Sequence, residues 1–438
     1  MISAISAGKI FSTLGNDKSL VPMAIKDIAN SCGLTAGSYV SGDKLEGKDR
    51  FIDEFGTQAI WLFGIPGYKK AIDLTLYKSL NVDPEFDVRN LKKSREKILK
   101  KSISYADSSI KDGIKNAVKN PKFTKNLALG KFIASTALTI ISYAGLTKYR
   151  HKVTEKAAEK EIRAEIQDKR RQAQYSFTGP QWNLQGKKGA PTFTGGLENF
   201  MYNPVKNLMI LDGSITAERL GHSRNKQDFV GYAIKEGTFW TFMYFASKPI
   251  QKFLEKRVES SKTKHCSIDL DARVIESEEL QNAFKDGSLQ KSAEKVLSLE
   301  KPEQMLEFIH KNPDDFTVKM AKMSDVLPVL KESNQPDNVD YRQFIDFDEF
   351  KGVAEKLQKL NKKFEEFKQS DIPDKSVDGF LKLAKKLKRA STLINIGTCI
   401  GVLGVAAPLT MIAARKFGKN NEEFQVKEDI RKRLELDA

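Results

Sequence analysis

The feature that most constrains how this chain folds is a run of 24 uncharged residues near its C-terminus. Residues 391–414 read STLINIGTCIGVLGVAAPLTMIAA, and lysines and arginines border the run on both sides. A helix rises about 1.5 Å per residue, so the run extends roughly 36 Å, more than the thickness of a bilayer's hydrocarbon core, which is about 30 Å. The run therefore predicts a transmembrane helix.

A second apolar run occupies residues 127–147, LALGKFIASTALTIISYAGLT, and carries one charge, Lys131, near its start. This run spans a bilayer if the ammonium group of Lys131 reaches the headgroups while its alkyl chain lies along the helix. We predict a second transmembrane helix here. The alternative is a buried core helix of a soluble bundle, because such a helix has a similar composition.

Two aromatic stretches are weaker candidates for membrane spans. Residues 55–68 are too few to cross a bilayer and contain Pro66. Residues 229–254 contain Lys235 and Glu236, and each charge costs about 2.5–3.5 kcal/mol at the bilayer centre. We predict that both stretches lie at the membrane interface or in a helical core. The alternative is that both stretches cross the membrane, which gives four transmembrane helices instead of two.

Most of the chain is too polar for a bilayer interior, since only 40% of its 438 residues are hydrophobic and its mean hydropathy is −0.44. We predict a mainly α-helical membrane protein with a charged, helical soluble region. Its segments are an N-terminal helical region (1–126), a transmembrane helix (127–147), a charged helix exposed to solvent (148–173), a Gly/Pro-rich loop (174–196), a second aromatic helical segment (197–262), a soluble helical region (263–390), the second transmembrane helix (391–414) and a basic tail (415–438).

The soluble region ends in a pattern that is typical of two packed helices. Apolar residues recur at spacings of three and four from Phe350 to Phe367, and the same spacing returns from Val377 to Leu387. We predict an antiparallel helical hairpin over 350–389 that leads directly into the run 391–414. Self-association of the first helix as a coiled coil is the alternative.

The two halves of the chain share short matches at an offset of 181 residues. Thr35-Ala36 matches Thr216-Ala217, and Gly56-Thr57 matches Gly237-Thr238. In both halves an aromatic stretch, a charged segment and an apolar helix follow in the same order. An internal duplication resembling the parallel repeats of some transporters explains this order, and chance similarity between helical halves is the alternative.

Charge and cysteine content limit the partners and the compartment. The net charge of +16 attracts polyanions, and the basic residues crowd the ends of the apolar runs. This placement favours a membrane with anionic lipid headgroups over nucleic acid, for which no recognition motif is present. Charged helical surfaces also predict protein partners, and the sequence sets no oligomeric state. Cys32, Cys266 and Cys399 are too far apart to suggest a disulfide framework, which favours a reducing compartment.

No catalytic, cofactor-binding or metal-binding motif stands out. The four histidines are scattered and none belongs to a metal-binding spacing. The segment GKKG at 186–189 lacks the strand and the Ser or Thr of a phosphate-binding loop. The sequence therefore predicts no cofactor and no metal, and it favours a function other than catalysis.

Two features remain as candidate functional sites. Gly397, Gly401 and Gly404 form a small-residue face that predicts close packing against the helix at 127–147, with dimerisation as the alternative. Lys235 and Glu236 would form an ionisable pair at membrane depth, and such a pair faces a protein interior or a water path. A short interfacial helix would need no such explanation.

The chain resembles a family of bacterial membrane proteins that has no assigned activity. The resemblance rests on DEFGTQAIWLFGIPGYKK, on NPVKNLMILDGSITAERLGHSRNKQDF and on the final apolar run with its basic tail. It implies a bacterial cytoplasmic membrane and carries over no functional residue.

These observations predict a non-enzymatic anchor or scaffold that couples a helical soluble module to the membrane. The alternative is a subunit of a transporter or channel built from two similar halves. A membrane-bound hydrolase or transferase ranks third, because it rests only on acidic residues with no assigned role.

Overall fold

The computed structural model describes residues 13–14, 19–40, 44–172, 201–221, 226–261, 265–330, 338–417 and 425–436. Within these ranges the chain is mainly helical and forms no strand, which confirms the mainly α part of the predicted fold class. The Gly/Pro-rich loop predicted at 174–196 lies outside the described residues.

The described helices are named in chain order. The first half of the chain contains α1 (Val21–Val40), α2 (Lys44–Ala59), the π-helix π1 (Ile60–Gly64), α3 (Ile65–Ile72), π2 (Asp73–Tyr77), 3₁₀-helices at Val88–Leu91 and Lys93–Arg95, α4 (Glu96–Tyr105), α5 (Ser108–Lys119) and α6 (Pro121–Gln172). The second half contains α7 (Pro204–Gly221), α8 (Lys226–Trp240), π3 (Thr241–Phe245), α9 (Ser247–Glu259), α10 (Ala272–Glu276), α11 (Glu278–Lys285), α12 (Ser288–Leu297), α13 (Pro302–Lys311), α14 (Phe316–Met323), α15 (Phe347–Lys368), α16 (Val377–Gly401), π4 (Val402–Ala406), α17 (Ala407–Phe417) and α18 (Gln425–Leu436).

The chain divides into two compact units, each made of discontinuous segments. Unit 1 comprises Met1–Met23, Ala71–Lys131 and Ala246–Gly397, and unit 2 comprises Ala24–Lys70, Phe132–Phe245 and Thr398–Ala438. The chain therefore passes from one unit to the other five times: inside α1, α3, α6 and α16, and between π3 and α9.

Unit 1 has an apolar core assembled from short helices. The apolar seam of α15 lies in this core, where Phe350 is fully buried. The ring of Phe380 on α16 packs at 5.1 Å from the ring of Phe364 and at 5.3 Å from that of Phe367. The hairpin predicted for 350–389 thus corresponds to α15 and α16, and burial within unit 1 covers the seam that self-association would require.

The same local hydrogen-bonding motif recurs in unit 1. In three Asp-X-Arg tripeptides, the aspartate accepts a hydrogen bond from the backbone N–H of the arginine, and the guanidinium donates back to the same carboxylate. These tripeptides are Asp87–Arg89, Asp271–Arg273 and Asp340–Arg342. The first two aspartates are the N-caps of the helices that follow them.

Each of the long helices α6 and α16 carries one lysine that forms polar contacts with other residues of unit 1. The ammonium group of Lys131 lies 2.5 Å from Asp73 of π2 and 5.0 Å from the ring centroid of Tyr77. The ammonium group of Lys388 on α16 lies 3.6 Å from Glu255 and donates to a backbone carbonyl, that of Ile268, at 2.8 Å. Lys131 is therefore held by protein groups, whereas the sequence predicted that it reaches toward headgroups.

The charged segment 148–173 is the continuation of α6, and it is less exposed than predicted. Ala158 and Ile162 are fully buried, in a small apolar cluster with Leu45 and Ile430. Part of the basic tail, α18, packs along this segment of unit 2. Ion pairs of 2.8 Å (Lys427–Glu161) and 2.9 Å (Arg431–Glu165) accompany the contact.

Two described helices are long and apolar enough to cross a membrane, judged by length and composition. They cover Pro121–Ile166 and Val377–Thr410 and contain the two predicted spans, except for the last residues of the second. Only 28% and 39% of their most apolar windows are buried, whereas the core helix of a soluble protein is mostly buried.

Candidate functional site: a buried ionisable centre

Helices α2 and α8 of unit 2 bring two charged side chains together in a buried position. The ammonium group of Lys235 lies 2.5 Å from a carboxylate oxygen of Glu54, and their side chains are 3% and 6% exposed. Glu236, the partner that the sequence predicted, lies 3.8 Å from the same ammonium group. Lys235 is therefore shared between two carboxylates.

A third helix adds a cation to this centre. Arg150 of α6 places its guanidinium 2.9 Å from Asp53 and 3.6 Å from Asp49 on α2. Arg50, on the same helix as Glu54, lies 3.9 Å from that carboxylate. Because charges at 49, 50, 53 and 54 fall within about one and a half helical turns, α2 presents both signs of charge to its neighbours.

Hydrogen bonds between helices extend the centre on the side of Glu236. Thr216 of α7 donates to Glu236 at 2.9 Å, and the indole of Trp240 donates to Thr216 at 2.9 Å. The phenol of Tyr244 donates to Asp212, which also lies on α7. Polar contacts therefore join α7 to α8 and π3.

The matching helices of the first half are joined in a similar way. The indole of Trp61 in π1 donates to Asp27 of α1 at 2.8 Å. The amide of Gln58 donates to Ser31 of α1 at 2.7 Å. In each half, an aromatic side chain of a π-helix thus donates a hydrogen bond to an aspartate on a neighbouring helix: Trp61 to Asp27 of α1 in the first half, and Tyr244 to Asp212 of α7 in the second.

The exterior of unit 2 contrasts with this interior, because it exposes large apolar side chains. These include Phe63 (75% exposed), Ile133 (56%), Ile141 (65%), Val405 (57%) and Leu409 (58%). Among the described residues between 265 and 392, by comparison, no large apolar side chain is exposed, although unit 1 exposes Leu74 and Phe253 outside that range. Unit 2 therefore combines buried charges with exposed apolar groups, and it also buries apolar side chains such as Leu211.

Backbone geometry repeats between the two halves at the offset seen in the sequence. π1 starts at Ile60 and π3 starts at Thr241, so they are 181 residues apart, and each follows the end of a helix that carries the buried charges. Single π-helical turns within α-helices are rare and frequently mark functional positions. Two of them at one offset favour two repeats of one architecture over chance similarity.

The repeat extends beyond the π-helices. Asp87–Arg89 and Asp271–Arg273 are separated by 184 residues, and Asn81 and His265, both with positive φ, have the same separation. Lys131 and Lys388 also each bind one carboxylate and one backbone carbonyl, but they are 257 residues apart and do not fit this offset.

The buried ion pair occupies a special position in this repeat. Glu54 and Lys235 are themselves 181 residues apart, so each is the equivalent of the other. The closest ion pair of the centre therefore joins two positions that match at the offset seen in the sequence.

The predicted glycine face is only partly used for packing. A Cβ atom on Gly33 of α1 would overlap the carbonyl oxygen of Gly404, so α1 and π4 meet backbone to backbone. Gly397 and Gly401 are exposed, and a Cβ atom on either would meet no atom within 4 Å. The three glycines do not share one packing face, because π4 begins at residue 402 and its wider turn changes the helical register before Gly404.

Sequence reasoning selected Lys235 and Glu236 but missed Glu54, Asp53 and Arg150. One signal was present, since the 181-residue offset pairs position 54 with position 235. Nothing in the local sequence around Arg150 distinguishes it from the other bases of the charged segment.

Comparison of the chain with protein-family models, with curated proteins and with solved structures gave no match. Inference about function therefore starts from the ionisable centre itself.

Proposed function

We propose that this chain is a membrane transport protein or channel subunit, in which ions or small solutes move along the interface between two similar halves. The observation that carries the proposal is the Lys235–Glu54 ion pair, which is buried in unit 2 and joins equivalent positions of the halves.

The distribution of side chains in unit 2 supports the membrane placement. In water a folded protein buries its apolar side chains. In a bilayer this driving force is absent, so apolar side chains can face the lipid. Ile133 and Ile141 of α6 and Val405 of π4 lie on the outside, while Lys235 and Glu236 lie inside. The resemblance to bacterial membrane proteins adds a bacterial cytoplasmic membrane to the proposal.

The chemistry of the centre supports transport over a passive anchor. Ionisable groups inside a membrane are costly, and they commonly mark ion or substrate pathways. In transporters with internal repeats, the site lies at the interface of the repeats. A lysine shared between Glu54 and Glu236 can transfer its ion pair from one carboxylate to the other as a cation or proton passes.

The anchor or scaffold predicted first from sequence is the second candidate. Unit 1 supports it, because it has its own apolar core and exposes no large apolar side chain among its described residues between 265 and 392. In that function the Lys235–Glu54 pair only stabilises unit 2, and no solute passes.

Ion flux in reconstituted vesicles separates the two functions. The full chain is placed in phosphatidylcholine vesicles, and fluorescent indicators follow protons, Na⁺, K⁺ and Cl⁻ under imposed gradients. We expect flux above that of empty vesicles, its loss in Lys235→Met, and partial recovery when Glu54→Lys and Lys235→Glu are combined. Lys100→Met, which breaks the exposed Lys100–Glu96 pair of unit 1, is the matched control and leaves the flux unchanged.

Two results contradict the proposal. Flux of all four ions equal to that of empty vesicles, from protein that remains folded, supports the anchor function. Release of the chain from native membranes by alkaline carbonate rejects the membrane placement, and both candidate functions with it.

A further inference from the structure

A basic groove lies on α6, immediately after its apolar window. Its basic lining consists of Lys148, His151, Lys152 and Lys156 of α6 together with Arg433 of α18, and its volume is about 390 Å³. All of these residues belong to unit 2. The groove is open to one side, so a ligand can enter it without a conformational change.

Most of the acidic groups near the groove are already engaged. Glu159, on its lining, accepts hydrogen bonds from Arg163 at 2.6 and 2.9 Å. Glu161 and Glu165 form the ion pairs that hold α18 against α6. The lining therefore carries four permanent cations and two carboxylates, those of Glu155 and Glu159, and Glu159 is already bound by Arg163. The net positive charge suits an anion.

The position of the groove indicates which anion. The uncharged part of α6 ends at Thr147, so at about 1.5 Å per residue the groove covers the next 1.5 to 18 Å of the helix axis. The headgroup layer on each side of a bilayer is roughly 5–8 Å thick. Lys148 and Lys152 therefore fall at the depth of lipid phosphates when α6 spans the membrane. Lys156 starts about 13.5 Å along the axis, and its long side chain reaches back toward them because helical side chains tilt toward the N-terminus.

We infer that this groove binds the phosphate group of an anionic phospholipid. The inference rests on the membrane placement proposed above, because the apolar window of α6 brings the groove to the headgroups. Lys152 and Lys156 lie four residues apart on one face of α6, and Arg433 approaches from α18, so two helices hold the phosphate. The bound lipid would also tie α18 to α6.

Lipid titration of the purified full chain tests this inference. The protein is kept in an uncharged detergent, and native mass spectrometry follows the binding of dioleoyl phosphatidylglycerol and of dioleoyl phosphatidylcholine. We expect tighter binding of phosphatidylglycerol. Combining Lys152→Gln with Lys156→Gln weakens its binding roughly 20-fold, and Arg433→Gln weakens it about five-fold.

The matched control is Lys291→Gln combined with Lys295→Gln. These lysines are exposed on α12 of unit 1 with the same four-residue spacing, and we expect binding to change less than about two-fold. Circular dichroism of each variant establishes that it remains folded, which is expected because the substituted lysines and Arg433 are exposed.

Three outcomes overturn the inference. The first is equal affinity for the two lipids, and the second is phosphatidylglycerol binding that the groove variants leave unchanged. The third is equally tight, groove-dependent binding of inorganic phosphate or of a single-stranded DNA 20-mer, which assigns the groove to another anion. Loss of lipid binding with ion flux retained, or the reverse, separates this inference from the transport proposal, since Lys235 and Glu54 do not line the groove.

Discussion

Unit 2 buries a cluster of charged side chains, whereas the largest buried side chains of unit 1 are apolar. In unit 1, Phe350, Phe380 and Leu306 are fully buried in a continuous apolar core. In unit 2, Lys235, Glu54 and Asp53 are buried, while Ile141 and Phe63 are exposed. The same rules of packing apply to both units, so the difference points to two solvents. The arrangement of unit 1 suits water, and that of unit 2 suits the lipid that we propose around it.

Different kinds of interaction determine the packing of the two units. Apolar burial is non-directional, so many side chains of similar volume serve in the core of unit 1. Ion pairs and hydrogen bonds in unit 2 have fixed partners, and a missing partner leaves a buried charge. We therefore expect the two units to fail in different ways when single side chains are removed.

The largest expected effect is the loss of an aromatic ring from the core of unit 1. Phe350→Ala leaves a cavity among packed side chains and lowers the free energy of unfolding by roughly 3–5 kcal/mol. Urea denaturation followed by circular dichroism measures it. Ile141→Ala, which shortens an exposed side chain of unit 2, is the control, and an equal cost there would contradict the contrast between the units.

The second effect concerns the buried charge of unit 2. Lys235→Met leaves Glu54 without its closest cation, and we expect a cost of about 3 kcal/mol, since Arg50 at 3.9 Å compensates in part. Unfolding in mixed detergent micelles measures this cost. Adding Glu54→Gln to the same chain is expected to recover much of it, and a double variant no more stable than Lys235→Met would show that the pair is not coupled.

The third effect tests the exterior of unit 2. Ile141→Lys places a charge on the exposed face of α6, where insertion into a bilayer costs about 2.5 kcal/mol. We expect a smaller membrane-integrated fraction after carbonate extraction. Asn282→Lys, at an exposed position of α11, should change neither integration nor stability beyond about 0.5 kcal/mol. Normal integration of Ile141→Lys would place this face of α6 in water.

The smallest effect concerns thiol reactivity. Burial raises the pKa of the Cys266 thiol in unit 1 to about 12, so at pH 8 about one molecule in ten thousand carries the reactive thiolate. Cys32 in unit 2 is exposed, but it adjoins Gly33, which meets Gly404 near the middle of the run 391–414, so the proposed lipid covers its thiol. We expect N-ethylmaleimide to modify both thiols only after denaturation, as measured by mass spectrometry of peptides. Rapid native modification of Cys266 would show that the core of unit 1 opens readily.

Helices and apolar faces that follow a local periodicity can be predicted from the sequence. The seam from Phe350 to Phe367 follows helical spacing, and α15 buries it. The apolar windows of α6 and α16 are likewise visible as composition. The contact between Glu54 and Lys235 joins residues 181 positions apart, and no periodicity encodes such a contact.

Two further misses have physical causes. Gly401 and Gly404 were assigned to one face on the basis of α-helical spacing, but the π-helix between them has no compositional signature and changes the register. Lys131 was placed among headgroups because its partner Asp73 is distant in sequence. A local change of helical register explains the first difference, and a tertiary contact explains the second.

The π-helices also preserve a record of the order in which this chain acquired its features. Each π-turn accommodates one residue more than an α-helical turn, so it is the trace that a single insertion leaves. On the duplication that the transport proposal invokes, π1 and π3 lie at matching positions, so their insertions would predate the doubling of the chain. Residues 254–258, which match π2 at the same offset, are α-helical, so the insertion in π2 would be the later one. The earlier pair would then adjoin the helices that carry the central ion pair.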